Sequence, residues 1–331
     1  IKGHISSFIC AHAKKLEIWP LIVMILFSGL DYAGYYLLGT DMSSISSTMH
    51  LEWWDNPYQF SSITTQLFWV FNQCIPAWVA TSLIINLKDN RSIIVVWAAT
   101  MLSSTFAFVG LLPIIMYYML TRKYPAGGKW ISAFWKDTVT PENVVGGGIV
   151  GIVSFMYLKG NLSGNMINTS TKAVKVNGYD GSLFMWLLCI ILEVGVYLLL
   201  VYREQRNNKL FYIIAAELCF FPLIRVGNSS DFNMRAVIPA QIILLIFVID
   251  ALKDAILQKK QLLLLALVAT LSLGSITPIH EITRTCAETI QRKRDKVQVE
   301  EDTSSTYKIL NSNNFSGNIE GSWFFQNFAK K

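Results

Sequence analysis

Apolar runs about as long as a bilayer is thick recur along this chain and constrain its fold more than any other feature. A hydrocarbon core about 30 Å thick takes roughly 20 apolar residues per helical span. Hydrophobic residues make up 53% of the 331 residues and charged residues only 15%, which excludes an ordinary soluble domain. The sequence therefore predicts an all-α fold, a polytopic transmembrane helical bundle in a lipid bilayer. Seven spans are predicted, near residues 18–38, 62–86, 143–158, 182–202, 210–225, 237–252 and 261–277.

A further apolar stretch, residues 92–121, is too long for one comfortable span. Small polar residues, Gly110 and Pro113 interrupt it in the segment SSTFAFVGLLP. Such breakers favour two short helices folded back as a broken helical hairpin. One long kinked helix is the alternative.

The distribution of Lys and Arg predicts which loops face the cytoplasm. With the hairpin, one set of loops carries 15 Lys and Arg residues and the opposite set carries 5. Because basic residues concentrate in cytoplasmic loops, the first set is predicted to be cytoplasmic. The cytoplasmic set is 1–17, 87–92, 121–142, 203–209 and 253–261, and the outer set is 39–61, 159–181 and 225–236.

The two ends of the chain differ from this transmembrane region. Residues 1–278 are predicted to form the transmembrane domain and 279–331 a polar, extracytoplasmic C-terminal extension, helical over 279–302 and bearing an aromatic patch at 323–325. The extension has 8 basic residues, against the charge rule, but also 7 acidic ones. The chain opens at Ile1 without a cleavable signal pattern, so we expect a piece of a longer, N-terminally truncated protein.

An acidic and aromatic segment, HLEWWDNPYQF, fills the first outer loop. Its rings are typical of short interfacial helices that anchor at headgroup depth. Anchoring does not account for the titratable groups, because charge beside hydrocarbon is costly and is often retained for a function. A merely solvated loop is the alternative. The candidate catalytic residues are His50, Glu52 and Asp55 with the nearby Asp41, and Gln59 is a supporting polar residue.

A second polar segment, RVGNSSDFNMRA, lies in the last outer loop. Arg225 and Arg235 flank it, and two guanidiniums at a membrane surface suit a phosphate or pyrophosphate, whose oxygens match their donors. Asn228 and Asp231 are supporting polar residues. The alternatives are Arg side chains that extend to the headgroups, or an Arg–Asp231 pair that holds the loop.

Polar residues also occur inside the apolar runs. Asp31, Glu193 and Glu217 are deep enough that they should face a cavity or a polar partner, and Gln73 lies in the second span. These acids predict either proton or ion sites of a transporter or buried structural hydrogen bonds.

Common cofactor and metal motifs are absent from the sequence. It contains no Gly-rich phosphate loop, HExxH, GxSxG or EF-hand pattern, and its five cysteines fall singly. VVGGGIVGIV lies within a span and is better explained by close helix packing. No cofactor, metal site or nucleic-acid partner is predicted.

Four stretches, FSGLDYAGYYLL, HLEWWDNPYQFSSITTQLFWVFNQCIPAW, FAFVGLLP and NSSDFNMRAVIPA, resemble a group of bacterial polytopic membrane proteins. Their organisation is similar to the glycosyltransferase C superfamily. The resemblance covers most of the chain up to about residue 280. It implies a multi-pass protein of the bacterial plasma membrane that takes a sugar from a polyprenyl-phosphate carrier on the outer face.

The resemblance also implies an inverting displacement onto a glycan or lipid acceptor. Glu52 or Asp55, with His50 nearby, would be the base, and Arg225 and Arg235 would bind the departing phosphate. In that superfamily the catalytic acid usually lies in the first outer loop, which here would precede Ile1. Asp41, Glu52 and Asp55 would then support the site or bind the acceptor. A transporter or flippase for a lipid-linked or anionic substrate is the main alternative, and a non-catalytic assembly subunit is a third.

Overall fold

The computed structural model describes residues 18–40, 49–55, 58–122, 130–165, 174–176, 183–226, 231–295 and 323–328. Helices predominate. The first half contains α1 (Trp19–Leu26), α2 (Asp31–Leu37), α3 (Ile63–Trp69), α4 (Phe71–Asn86), α5 (Ile93–Ser103), α6 (Thr105–Thr121), α7 (Trp130–Thr138) and α8 (Gly148–Asn165). The second half contains α9 (Leu183–Ile190), α10 (Val196–Gln205), α11 (Lys209–Phe220), α12 (Asp231–Ala236), α13 (Ile238–Leu257), α14 (Gln261–Gly274), α15 (Ile276–Arg294) and α16 (Trp323–Phe328).

Shorter elements join some of these helices. Two π-helical stretches, Glu142–Gly147 and Ile191–Gly195, precede α8 and α10, and two 3₁₀ turns occupy Leu51–Trp53 and Phe221–Leu223. Strands β1 (Val174–Val176) and β2 (Ile224–Val226) pair antiparallel, with Lys175 opposite Arg225. This small ribbon is an addition to an otherwise helical fold.

Among the described residues, three helices are long and apolar enough to cross a membrane: Trp19–Leu37, Leu183–Gln205 and Gln261–Arg294. Trp130–Thr138 and Glu142–Lys159, bent by 56° at their junction, provide a fourth candidate if they count as one span. These helices indicate a multi-pass membrane protein. They correspond to four of the seven spans predicted from sequence.

The other three predicted spans do not meet the same criteria within the described residues, for identifiable reasons. The 62–86 span is divided into two shorter helices, α3 and α4, which meet at the non-helical residue Val70. The 210–225 span is the 12-residue α11, which ends before Pro222. The 237–252 span is the 20-residue α13, whose last turns carry Asp250, Lys253 and Asp254.

Helix α13 forms the centre of the bundle. Fifteen of its 20 residues are buried, including Ile243, Val248 and Phe247. It packs against α4, α6, α10, α11 and α14. An apolar helix enclosed on all sides by protein stabilises a core rather than a lipid contact.

The α1–α2 segment is unwound at residues 27–30, in the middle of a candidate span. Backbone polar groups freed inside a membrane need protein partners. Here distant segments supply them: the Ile63 N–H donates to Phe27 O at 3.2 Å, the Tyr197 hydroxyl to Ser28 O at 2.9 Å, and the Leu30 N–H to Leu192 O at 3.1 Å.

Residues 93–121 form two helices rather than one, separated at Ser104. The Trp97 ring stacks on Phe108, with centroids 4.4 Å apart. Beyond the second helix, Arg122 donates to Leu87 O at 2.6 Å. The two ends of the stretch therefore lie next to each other.

Loops assigned to the same side of the membrane contact one another. Lys260 pairs with Glu204 at 3.0 Å, joining two loops of the predicted cytoplasmic set. Asn233 Nδ2 donates to Gln59 O at 2.8 Å, and β1 pairs with β2, joining loops of the outer set. Each of these contacts therefore joins loops of the same proposed set.

The predicted domain boundary at residue 278 falls inside α15. This helix follows α14 after Ser275 and continues to Arg294. Thr277, Glu281 and Arg284 are buried against the bundle. The start of the predicted polar extension is therefore packed with the transmembrane helices.

Candidate functional site

Four carboxylates from three distant segments lie together inside the bundle. Asp31, Glu52, Asp55 and Glu193 are 1%, 2%, 0% and 5% exposed, and we call them the acid cluster. Asp31 is close enough to each of the other three to interact with it electrostatically. Two members were predicted as catalytic residues and two as deep intramembrane acids, and the fold brings them into one site.

Irregular backbone positions these side chains. Asp31 follows the unwound residues 27–30, Glu52 lies on a 3₁₀ turn, and Glu193 lies on a π-helical turn. A π turn inside an α-helix frequently marks a functional site. A Cβ atom at Gly29 would overlap the Glu193 carboxylate, so this close approach requires glycine.

Neutral donors supply the hydrogen bonds of the two deeper carboxylates. Asp31 Oδ2 accepts from the Thr277 hydroxyl at 2.7 Å and from the Ser28 hydroxyl at 3.1 Å. Glu193 Oε1 accepts from Trp54 Nε1 at 2.9 Å. Trp54 thus links the acidic outer segment to the π turn.

Glu52 and Asp55 lie outside the candidate spans and have strongly raised pKa values. Burial, reinforced by the charge of Asp31, raises the pKa of Glu52 to about 8, although the Ser62 N–H donates to its Oε1 at 2.8 Å. Burial raises the pKa of Asp55 to about 7, the Asp31 charge adding to this and the Cys189 thiol opposing it. Both groups therefore change protonation near neutral pH.

The acid cluster has no basic partner in the part of the chain that the structure describes. None of the ion pairs there involves any of its four carboxylates. No described group of His, Cys, Asp and Glu has an arrangement that could hold a metal ion. Buried carboxylates without cations must be neutralised largely by protons, because desolvating several negative charges is prohibitive.

His50 belongs to a second network, which centres on Glu281. Glu281 lies 3.3 Å from His50 Nδ1, 2.5 Å from Arg284 Nη2 and 2.8 Å from Trp69 Nε1. The predicted grouping of His50 with the bases Glu52 and Asp55 is therefore replaced by a contact with α15. Glu281 and Arg284 escaped notice in the sequence because they fell in the predicted polar extension.

The two predicted phosphate-binding arginines lie on β2 and α12. Arg235 Nη2 lies 3.3 Å from Asp231 Oδ1, the loop-holding pair that was the alternative, while its Nε is buried without a partner. Arg225 lies on β2, where its backbone pairs with that of Lys175 on β1. Asp41 and Asn228 lie outside the described residues.

Arg235 nevertheless lies on the same side of the bundle as the acidic segment. Asn233, two residues before it, donates to the carbonyl oxygens of Gln59 at 2.8 Å and Tyr58 at 3.5 Å. Gln59 thus supports the site through its backbone. The two polar segments singled out in the sequence are joined by direct contact.

The buried glutamine of the second predicted span is Gln66, not Gln73. Gln66 Nε2 donates to Gln241 Oε1 at 2.9 Å, and Gln241 reaches Ser61 O at 3.3 Å. Gln73 is only half-buried. Glu217 is buried on α11, and neither of its carboxylate oxygens has a hydrogen-bond partner among the described residues.

A cavity of about 780 Å³ lies between α5 and α8, separate from the acid cluster. Its lining is mainly apolar and includes Trp97, Phe108 and Gly151, together with Lys159. Trp323 of α16 also lines it, so part of the predicted aromatic patch packs here.

Comparison with protein-family models, curated proteins and solved structures finds no match to this chain.

Proposed function

We propose that this protein is a membrane glycosyltransferase, or a related envelope-glycan enzyme, that uses a polyprenyl-phosphate-linked sugar at the extracytoplasmic face. The contact between Asn233 and Gln59 carries the proposal, because it joins the segment bearing Glu52 and Asp55 to the segment bearing Arg235. A base and a phosphate-binding cation at one end of a helical bundle are the two components that such a transfer requires.

Asp55 is the favoured general base. A base works best when its pKa lies near the operating pH, and burial brings that of Asp55 to about 7. Its carboxylate takes the proton of the acceptor hydroxyl as the acceptor oxygen bonds to the anomeric carbon. The bond from that carbon to the phosphate oxygen breaks with inversion, and the polyprenyl phosphate leaves with the electron pair.

Glu52 and Arg235 complete the proposed centre. The pKa of Glu52, about 8, keeps this group mostly protonated at neutral pH, so it donates a hydrogen bond rather than accepting the proton. Arg235 stabilises the departing phosphate, for which its buried, unpartnered Nε is an available donor.

The apolar cavity between α5 and α8 supports a lipid-linked donor. Phe106, at the start of α6, packs edge-on against Phe232 of α12, with ring centroids 5.5 Å apart. The α5–α6 hairpin therefore connects the cavity to the segment that holds Arg235. In this proposal the polyprenyl tail occupies the cavity and the phosphate lies toward α12.

A proton-coupled transporter is the second candidate, favoured by one observation. Asp31 and Glu193 lie where two candidate spans are irregular, one unwound and one π-helical. Unwound helices beside intramembrane acids are typical of transporter ion sites. In that case these two carboxylates carry the coupling protons.

Sugar transfer in membranes containing the protein tests the first proposal against the second. Asp55→Asn should lower transfer from a polyprenyl-phosphate-linked sugar at least about 100-fold, the usual contribution of a general base. Arg235→Ala should also lower it strongly. Asp295→Asn, which changes an exposed acid at the end of α15, is the control. Normal transfer by Asp55→Asn, with proton uptake abolished in Asp31→Asn or Glu193→Gln, would favour transport.

A further inference from the structure

Two exposed tryptophans flank His50 beside the acidic segment. Trp53 and Trp69 are 51% and 58% exposed. Their rings lie 4.7 Å and 5.1 Å from the His50 ring, centroid to centroid. The three rings form one continuous aromatic surface next to the Glu281 network.

The Trp69 ring is held rigidly in place. Its Nε1 donates to Glu281 Oε1 at 2.8 Å, and the Arg284 guanidinium carbon lies 5.6 Å from its ring centroid. Glu281 is itself fixed by Arg284 and His50. A ring immobilised before binding pays little entropy when a ligand stacks on it.

Anchoring in the bilayer does not account for this arrangement. A tryptophan of an interfacial belt keeps its apolar body in lipid and directs its N–H to water or headgroups. Trp69 instead donates its N–H inward to a buried carboxylate. The part of the side chain left open is the ring, with no polar group for the headgroups.

We infer that the aromatic surface of Trp53, His50 and Trp69 binds a pyranose ring of a neutral glycan acceptor. The C–H bonds on one face of a pyranose are weakly positive and pack on the negative face of an aromatic ring. His50 Nε2, which has no hydrogen bond to any described residue, is available to the hydroxyl groups at the edge of the sugar. This inference rests on the proposed function only in calling the sugar an acceptor.

The local charge favours a neutral sugar over an acidic one. Arg284 is paired with Glu281 and also with Glu288, whose Oε1 lies 3.3 Å from its Nη1. The one strong cation beside the aromatic surface is thus already matched by two carboxylates. An anionic ligand would meet no excess positive charge there.

Binding measured without any donor separates this inference from the proposed function. The full chain in phosphatidylcholine nanodiscs is applied to an array of gluco-, galacto- and manno-configured neutral oligosaccharides. Trp69→Ala should weaken binding at least about tenfold. Trp69→Phe keeps a ring but loses the anchoring N–H, and it should weaken binding less. Trp135→Ala removes a comparably exposed tryptophan on α7 and should leave binding unchanged.

The inference is overturned if no glycan of the array binds the unaltered protein, or if Trp69→Ala and Trp69→Phe both bind glycan as tightly as the unaltered protein. It is also overturned if both variants bind lipid more weakly but bind glycan normally. If Trp69→Ala does not fold, Trp69→Phe still tests it. Glycan binding that depends on Trp69 in a protein without transfer activity would refute the proposed function and leave the binding site standing.

Discussion

The replacement Asp55→Asn should stabilise the protein while it lowers the proposed activity. Burial raises the pKa of Asp55 from its usual 3.8 to about 7, a shift of about 3 units. Each unit corresponds to about 1.4 kcal/mol, so ionising this group in the folded protein costs up to about 4 kcal/mol. Asparagine has the same shape and carries no charge at any pH.

The sign of this effect follows from proton binding. Between pH 3.8 and about 7 the folded protein holds a proton that the unfolded chain has released, so stability falls as pH rises through this window and levels off above it. The variant lacks this contribution. Its advantage over the unaltered protein should therefore be small at pH 4, about a third of its full size at pH 5 and greatest at pH 8.

Thermal unfolding in detergent from pH 5 to pH 8 measures this difference. At roughly 2 °C per kcal/mol, Asp55→Asn should melt on the order of 8 °C higher than the unaltered protein at pH 8. Asp295→Asn, at an exposed position, should show no such gain. The reasoning fails if Asp55→Asn is no more stable at pH 8, or if its gain is the same at pH 5.

Two further substitutions test the packing around the site. Gly110→Ala places a Cβ against the Ala236 carbonyl oxygen and should destabilise the α6–α12 contact by several kcal/mol, measured as a lower melting temperature. Gly148→Ala changes a helical position with open space and should be neutral or slightly stabilising. Equal melting temperatures of the two variants would contradict the close approach at Gly110. Trp54→Phe removes the donor to Glu193 and should cost about 1–3 kcal/mol in chemical denaturation, whereas an unchanged midpoint would mean that the bond does not stabilise the π turn.

The composition and breakers of the sequence predicted the broad architecture. Apolar length identified the four candidate spans. The stretch 92–121 is interrupted at Ser104, beside the small polar residues, whereas the other two expected breakers, Gly110 and Pro113, lie inside α6. The sequence did not indicate how α13 packs. An apolar helix enclosed by protein and one facing lipid have the same hydropathy, so only the tertiary contacts place α13 at the centre of the bundle.

The acid cluster was only half predictable. Glu52 and Asp55 were singled out because charge stood beside aromatic rings, and Asp31 and Glu193 because they interrupted apolar runs. Their meeting depends on pairings between segments more than 130 residues apart, such as Trp54 with Glu193, which no local pattern encodes.

The Glu281 network was missed for a related reason. Glu281 and Arg284 are spaced i, i+3, which places them on one helix face, a spacing also found on solvent-exposed helices. Their burial results from packing against Trp69 and His50. Local charge spacing therefore gave no indication that this turn of α15 belongs to the site.

Cross-linking residue 59 to residue 233 tests most directly whether the two polar segments form one site. In a cysteine-free background, Gln59→Cys with Asn233→Cys should form a disulfide on oxidation, a zero-length link suited to the buried position 233, because the Gln59 carbonyl and the Asn233 amide lie 2.8 Å apart. Asp89→Cys paired with Asn233→Cys should not, since Asp89 lies in a loop of the opposite set. Absence of the 59–233 product, or equal yield from the 89–233 pair, would contradict the shared site on which the proposed transfer depends.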